Sequence, residues 1–285
     1  MREIGYHRAE SVDHAVALAA EHGENAEFLA GGQSLVPMMK ARLLPADRQV
    51  IDIGDVPGLG TIEAADGRLR IGALVTHAAI ADDETVAERC PAMTDMVRQV
   101  GDVQVRTMGT IGGDLAQADP QADYPTLVTA LDAAVTLRGK SGSRTVAAED
   151  FFHGYFETAL APDELLETIA IPVGPDRGAG FSKFAERSGD FPIVNAAVGL
   201  ALDGGVVDEA RVRVGGVRGR PVAVEAAADE LLGAEPSAVD PEEVGDLAAA
   251  AVDPDPDDQI DPAYKCDLAA ATVTEATADA ARRLD

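Results

Sequence analysis

Residues 26–55 read AEFLAGGQSLVPMMKARLLPADRQVIDIGD and contain one complete folding pattern. AEFLA is a short apolar run suited to a strand, and AGGQS is a glycine turn. LVPMMKARLL is apolar enough for a packed helix, and QVIDIGD is a second strand. The order strand, glycine loop, helix, strand is a βαβ unit. Gly31 and Gly32 carry no Cβ and tolerate φ > 0, so backbone N–H groups at the turn can converge on an anion. The start of the following helix adds its dipole and Ser34 adds a hydroxyl. A bare turn at a strand end accounts for the same two glycines.

The flanking sequence extends the pattern. Ser11 is an N-cap for a helix that Gly23 closes. A strand is expected over 68–76 after a turn at Asp66-Gly67, then a helix over 84–100 interrupted near Pro91. An apolar helix over 124–131, a hairpin over 133–150 and a strand over 164–173 follow. VGPDRGAG (173–180) is the best linker candidate. Beyond it FSKFAERS, VNAAVGLALD and VVDEARVRVGGVRG read as antiparallel strands. Helices are expected at 222–232, 240–252 and 262–284, with a DPDPDD loop at 253–258. The fold class is α+β: a mixed N-terminal domain over 1–175 and a C-terminal domain of antiparallel sheet plus helices over 178–285.

A second glycine motif, TMGTIGGD (107–114), stands some eighty residues after the first. Gly109, Gly112 and Gly113 permit close approach of a ligand, and Thr110 offers a hydroxyl. Asp114 accepts from a sugar hydroxyl or caps the next segment. The continuation LAQADPQADYP brings Asp119 and Asp123 nearby, and Asp123 either bonds a ribose or N-caps the following helix. Two such loops suit one ligand with a pyrophosphate, gripped from two sides. No GxGxxG fingerprint and no GxxxxGK[ST] loop occurs, so nicotinamide and nucleoside-triphosphate readings lack direct support. His14 and His22 read as surface residues, and no Ser-His-Asp or Cys-His set can be assembled. In FSKFAERSGDFP (181–192) core packing is the default for the phenylalanines, but Phe191 sits on a loop where it can wall a flat ring.

The bulk numbers narrow the function. The 285-residue chain has 50 acidic against 23 basic residues, four of them lysines, and a net charge of −27. Such a chain repels nucleic acid and anionic membranes. The acidity is spread along the sequence, as expected of a surface adapted to a salt-rich cytoplasm, where at about 1 M salt the Debye length is roughly 3 Å. No apolar run approaches the about 20 residues a bilayer needs, and the N-terminus lacks a signal-peptide core, so a cytoplasmic location is expected. Two cysteines without CxxC spacing argue against a disulfide framework, an iron–sulfur cluster or a structural zinc site in this chain.

The segments AGGQSLVPMMKARL, VQVRTMGTIGGDLAQADPQADYP, ELLETIAIPV and SKFAERSGDFP occur in this order, and together they resemble the FAD-binding medium subunits of the molybdenum hydroxylases, the xanthine dehydrogenase family, with the carbon monoxide dehydrogenase branch nearest. The resemblance implies an FAD-binding domain of the p-cresol-methylhydroxylase type in two subdomains, about 1–55 and 56–175, followed by a C-terminal domain of the CO dehydrogenase flavoprotein type. It implies a large molybdenum-cofactor subunit and a small subunit with [2Fe–2S] clusters as partners, in a dimer of heterotrimers. Electrons would pass from the clusters to FAD and on to an external acceptor. Carbon monoxide is the leading substrate, and an aldehyde or N-heterocycle is the alternative. A standalone flavin oxidase and a non-catalytic nucleotide-binding module are the readings outside this class.

Carried over residue by residue, Ala30, Gly31, Gly32, Gln33, Ser34 and Leu35 line the FAD pyrophosphate. Thr110, Ile111, Gly112, Gly113 and Asp114 hold it from the other side, and Asp123 bonds the sugar. Leu166 and Lys183 lie near the adenine or flavin ends. Phe191 stands where carbon monoxide dehydrogenase relatives carry a tyrosine beside the isoalloxazine. No catalytic residue and no metal ligand is expected in this chain.

Overall fold

The computed structural model describes residues 4–45, 47–256 and 259–284. The chain opens with β1 (Gly5–Arg8), α1 (Val12–His22), β2 (Ala26–Leu29), α2 (Leu35–Lys40) and β3 (Gln49–Asp52). The three strands form a parallel sheet in the order β1–β3–β2, with Ile51 of β3 opposite His7 on one side and Phe28 on the other. The βαβ unit is therefore β2–α2–β3, with α2 ending at Lys40 rather than running to Leu44. Ser11 Oγ accepts the His14 N–H at 3.1 Å at the start of α1, and Gly23 ends that helix at φ 56°. The inner face of α1, Ala15, Val16 and Ala19, shares a core with Ile51, Ile53 and Leu59.

The next layer begins with the hairpin β4 (Ile62–Ala65) and β5 (Arg68–Gly72). Asp66 and Gly67, at φ 52° and 69°, form its turn. Six short helices follow: α3 (His77–Asp82), α4 (Glu84–Arg89), α5 (Pro91–Val97), α6 (Val103–Met108), α7 (Ile111–Gln117) and α8 (Asp123–Ala130). Pro91 separates α4 from α5, where its missing N–H costs nothing at the first helical position. Then come β6 (Ala134–Gly139), β7 (Gly142–Ala147), α9 (Ala148–Phe151), β8 (Phe152–Gly154), β9 (Glu157–Thr158) and β10 (Leu165–Pro172). Strands β4–β5–β10–β6–β7 make an antiparallel sheet. Leu69, Ile71, Leu137 and Ile169 on it pack with Ile80, Met93, Met96, Leu115 and Leu127 from the helices.

The last part is an antiparallel sheet of β11 (Arg177–Phe184), β12 (Val194–Asp203), β13 (Val206–Gly215) and β14 (Val222–Ala223), with α10 (Glu225–Leu231), α11 (Pro241–Ala251) and α12 (Pro262–Arg282). The expected linker is shorter than 173–180, because Arg177 already begins β11. Its glycines serve packing: a Cβ at Gly178 would lie 2.7 Å from Ala280 O, and one at Gly180 would collide with Ala276 O. Glycine there lets α12 lie directly on the strand. Of the loop expected at 253–258, residues 257 and 258 lie outside the described residues.

Cys90 is buried in the helix–sheet core and Cys266 is half-buried, both as free thiols. Burial pushes the Cys90 thiol up to about 11. Among the described residues no helix is long and apolar enough to cross a membrane.

Candidate functional site

A cleft of about 930 Å³ runs between the loop after β2, the start of α7, the start of α8 and the β11–β12 loop. That is near the top of the about 300–1,000 Å³ range of small-molecule sites. Ala30, Gly31, Gly32, Gln33, Ser34, Leu35, Thr110, Gly112, Gly113, Asp114, Asp123, Leu166, Lys183 and Phe191 all line it. Ile111 does not; its side chain is fully buried in the core.

The two glycine motifs touch. A Cβ on Gly31 would collide with Met108 O and lie 2.8 Å from Gly109 Cα. Gly32 takes φ 70°, the left-handed region that favours glycine. Beyond them Val36 N–H and Met38 N–H bond back to Gly32 O and Ser34 O. The N–H groups of residues 31–35 donate to no acceptor among the described residues. Ser34 makes no side-chain capping bond, and Gln33 Nε2 donates to Gly31 O at 3.3 Å. Because α2 has only six residues, these free N–H groups, rather than a helix dipole, give the loop its positive potential.

The second motif corrects one expectation. TMGTIGGD is not a loop of free donors, because Ile111 begins α7. Ile111 N–H is engaged by Val75 O at 3.1 Å and Gly112 N–H by Ala73 O at 3.0 Å. Gly113 N–H bonds the capping Thr110 Oγ1 at 3.2 Å. The first two of these N–H groups pin α7 to the chain leaving β5, and the third caps the helix. Gly112 is a packing glycine, since a Cβ there would lie 2.7 Å from Ala73 Cα. Gly113 faces across the cleft, 3.9 Å from the Ala30 Cβ as measured from an added Cβ. The first loop thus presents donors, and the second presents a flat backbone wall with Asp114 at its end.

Asp114 Oδ1 is buried and has no hydrogen-bond partner among the described residues. Burial, reinforced by Asp123 and Asp119, pushes the Asp114 carboxyl up to about 8, against a smaller opposing pull from Lys183. Asp123 is not an N-cap: Ala122 holds that position and Asp123 is the first residue of α8. Its carboxylate meets Lys183 Nζ at 2.7 Å and Asn195 Nδ2 at 3.1 Å. Burial raises the Asp123 carboxyl, while Lys183 and Asn195 pull it down. Asn195 also donates to Ala122 O at 3.2 Å and accepts from Thr126 Oγ1 at 2.8 Å. Lys183 further donates to Gln99 O at 2.9 Å and Asp190 O at 3.2 Å. Leu166 supplies a buried apolar wall, and Phe191 stands 61% exposed at the mouth.

Two residues were not expected at the site. His77 is buried on the cleft wall, its Nδ1 3.1 Å from Tyr124 OH and its backbone N–H donating to Gly109 O at 3.0 Å. Burial, with a smaller push from Arg106, lowers its imidazole to about 4, so it is neutral at pH 7. Its ring explains Gly109, where a Cβ would lie 2.6 Å from His77 Nε2. Asn195 is the other, fully buried on β12. Neither carries a local signal, since Tyr124, Gly109 and Asp123 lie far from them in sequence. Free N–H donors at one wall, a partnerless acidic oxygen at the other and an apolar floor suit a long ligand with an anionic centre and hydroxyls.

Comparison with known proteins agrees. Residues 2–174 match the model of the FAD binding domain in molybdopterin dehydrogenase, and residues 179–280 match the CO dehydrogenase flavoprotein C-terminal domain. The nicotine 6-hydroxylase medium subunit of Paenarthrobacter nicotinovorans is 38% identical over 232 residues, 81% of each chain. The carbon monoxide dehydrogenase medium chain of Afipia carboxidovorans is 38% identical over 80% of this chain and 79% of its own. A solved Cu,Mo-CO dehydrogenase chain superposes with a TM-score of 0.91 at 34% identity, covering 99% of both chains. The chain belongs to the FAD-binding medium subunits of the molybdenum hydroxylases and is an oxidoreductase subunit.

Proposed function

We propose that FAD lies along this cleft and that the chain relays electrons from [2Fe–2S] clusters of a small partner subunit to an external acceptor. The complex would hold its molybdenum cofactor in a large subunit, where we assign carbon monoxide as the substrate. The observation that carries the FAD placement is the row of free N–H groups on residues 31–35, which line a cleft of dinucleotide size. The orphaned Asp114 Oδ1 is a second fit, since it stands where a buried polar partner is missing.

The chain's own residues divide the work. The N–H groups of Gly31 to Leu35 take the pyrophosphate, with Ser34 Oγ free to add a donor. Gly113, with no side chain, leaves bare backbone on the cleft wall beside Ala30. Asp123, already held by Lys183 and Asn195, keeps unused lone pairs for a sugar hydroxyl. Leu166 excludes water, and Phe191 offers a ring face at the mouth. When bound, FAD supplies the exchange between one-electron carriers and an external acceptor. No nucleophile–base pair in this chain is assigned to substrate chemistry.

The match to the CO dehydrogenase flavoprotein C-terminal domain and the likeness to the Cu,Mo-CO dehydrogenase chain over 99% of its length support carbon monoxide. The nicotine 6-hydroxylase relative, at the same 38% identity as the carbon monoxide dehydrogenase chain, supports a second reading, an N-heterocycle. Anaerobic addition of each substrate to the purified complex separates them. Reduction of the bound flavin by carbon monoxide is expected. Reduction by an N-heterocycle with no response to carbon monoxide would replace the substrate assignment.

A further inference from the structure

The cleft presents an electrostatic difficulty. Its lining includes Glu27, Asp114, Asp123, Glu164, Glu186 and Asp190, against one lysine, Lys183. Lys183 is already engaged by Asp123, Gln99 O and Asp190 O. A pyrophosphate brings further negative charge into this space. Asp114 is the group least able to remain ionised there, because its Oδ1 is buried without a donor to stabilise it.

The titratable and charged groups that face Asp114 are Asp119 just after α7, Asp123 and Tyr124 on α8, and Lys183 on β11. Along the same cleft stand His77 on α3, Glu27 on β2, Glu164 before β10, and Glu186 and Asp190 in the β11–β12 loop. Asp123 and Asp119 oppose a charged Asp114, Glu27 and Glu164 are paired with Arg48 and Arg144, His77 is neutral at pH 7, and the lysine is shared. A neutral acid also adds an O–H donor that a carboxylate lacks, which lets Asp114 face a phosphate or sugar oxygen without repulsion.

We propose that Asp114 holds FAD as a neutral carboxylic acid, so that above its own titration FAD binding takes up one proton from solution and weakens as pH rises. This rests on the FAD placement above. The balance is simple: ionised Asp114, one proton and FAD give the complex with protonated Asp114, and no covalent bond to the cofactor forms.

The test is titration of the flavin-free full chain with FAD, read by quenching of flavin fluorescence, from about pH 6.5 to 9.5. The Asp114 carboxyl sits at about 8, so Kd should be flat below that pH and rise toward tenfold per pH unit above it. At pH 9 an indicator dye in weak buffer should record uptake approaching one proton per FAD. Asp114→Asn, the isostere of the neutral acid, should bind with a pH-independent Kd and no uptake. The proposal is overturned by a wild-type Kd that stays flat or tightens up to pH 9.5, or by the same slope in Asp114→Asn. If that variant does not fold, the wild-type proton count decides by itself. Tight, pH-independent FAD binding removes this proposal and leaves the FAD placement standing, whereas no FAD binding at any pH removes both.

Discussion

Lys183 Nζ lies 2.7 Å from Asp123 Oδ2, and both side chains are 5% exposed. Lys183 lies on β11, whereas Asp123 opens α8, so the pair joins the C-terminal sheet to the helices that flank the cleft. Removing one partner leaves a buried charge without compensation, which typically costs about 3–5 kcal/mol. Lys183→Met is therefore expected to lower unfolding free energy in that range and to weaken FAD binding. Lys183→Met combined with Asp123→Asn should recover most of the stability. Urea melts of the single and double variants measure this; an unaltered midpoint in Lys183→Met would show the pair to be dispensable.

Gly112 and Gly113 are neighbours with different duties. Gly112→Ala pushes a methyl into Ala73 and should destabilise the fold by about 1–3 kcal/mol. Gly113→Ala meets the Thr110 hydroxyl at 2.9 Å and the Ala30 methyl at 3.9 Å, and should cost the fold less than Gly112→Ala while weakening FAD binding. Thermal melts alongside flavin titration separate the two, and equal melting temperatures for both variants would contradict the assignment.

His77 predicts an acid limit to stability. Its folded value of about 4 lies below the ordinary 6.5, so its contribution is complete above pH 6.5 and is lost as pH falls toward 4. At about 1.4 kcal/mol per pH unit, close to 2 kcal/mol is gone by pH 5. Asp114, raised to about 8, acts the opposite way and favours the fold as pH falls from 8 toward 4. The comparison must therefore be between the wild type and His77→Gln, which should lack the His77 share of the acid loss. Parallel pH–stability curves for the two proteins would remove His77 from the account.

Salt should not strip the flavin. The N–H groups of residues 31–35 act at contact distance, where screening is small, and the single lining lysine is engaged within the protein. With a net charge of −27, added salt also screens the general repulsion of an anionic ligand. Equilibrium dialysis from low to molar potassium chloride should show FAD retained throughout; a steep loss would point to exposed lysines or arginines as the real anchors.

Much of the fold was legible because its signals are local. Ser11 with Gly23, Pro91 between α4 and α5, and Asp66-Gly67 in a hairpin turn each act on their own neighbours. The site was legible by type and less so by role. Glycine at 112 announces close approach, but whether to a ligand or to Ala73 depends on a strand brought in from elsewhere. Asp123 had two local explanations, and its actual partners, Lys183 and Asn195, come from the far half of the chain. His77 was missed for the same reason. The linker was overestimated because Gly178 and Gly180 look like flexibility until α12 is seen lying on them.

On the proposed function, this chain carries FAD while molybdenum and iron reside in partner subunits. Flavin, iron and molybdenum measured per subunit in the purified native complex test it most directly. One FAD on this chain, with the metals confined to the other subunits, is the predicted result. A complex rich in molybdenum and iron whose flavin is absent from this chain would contradict it.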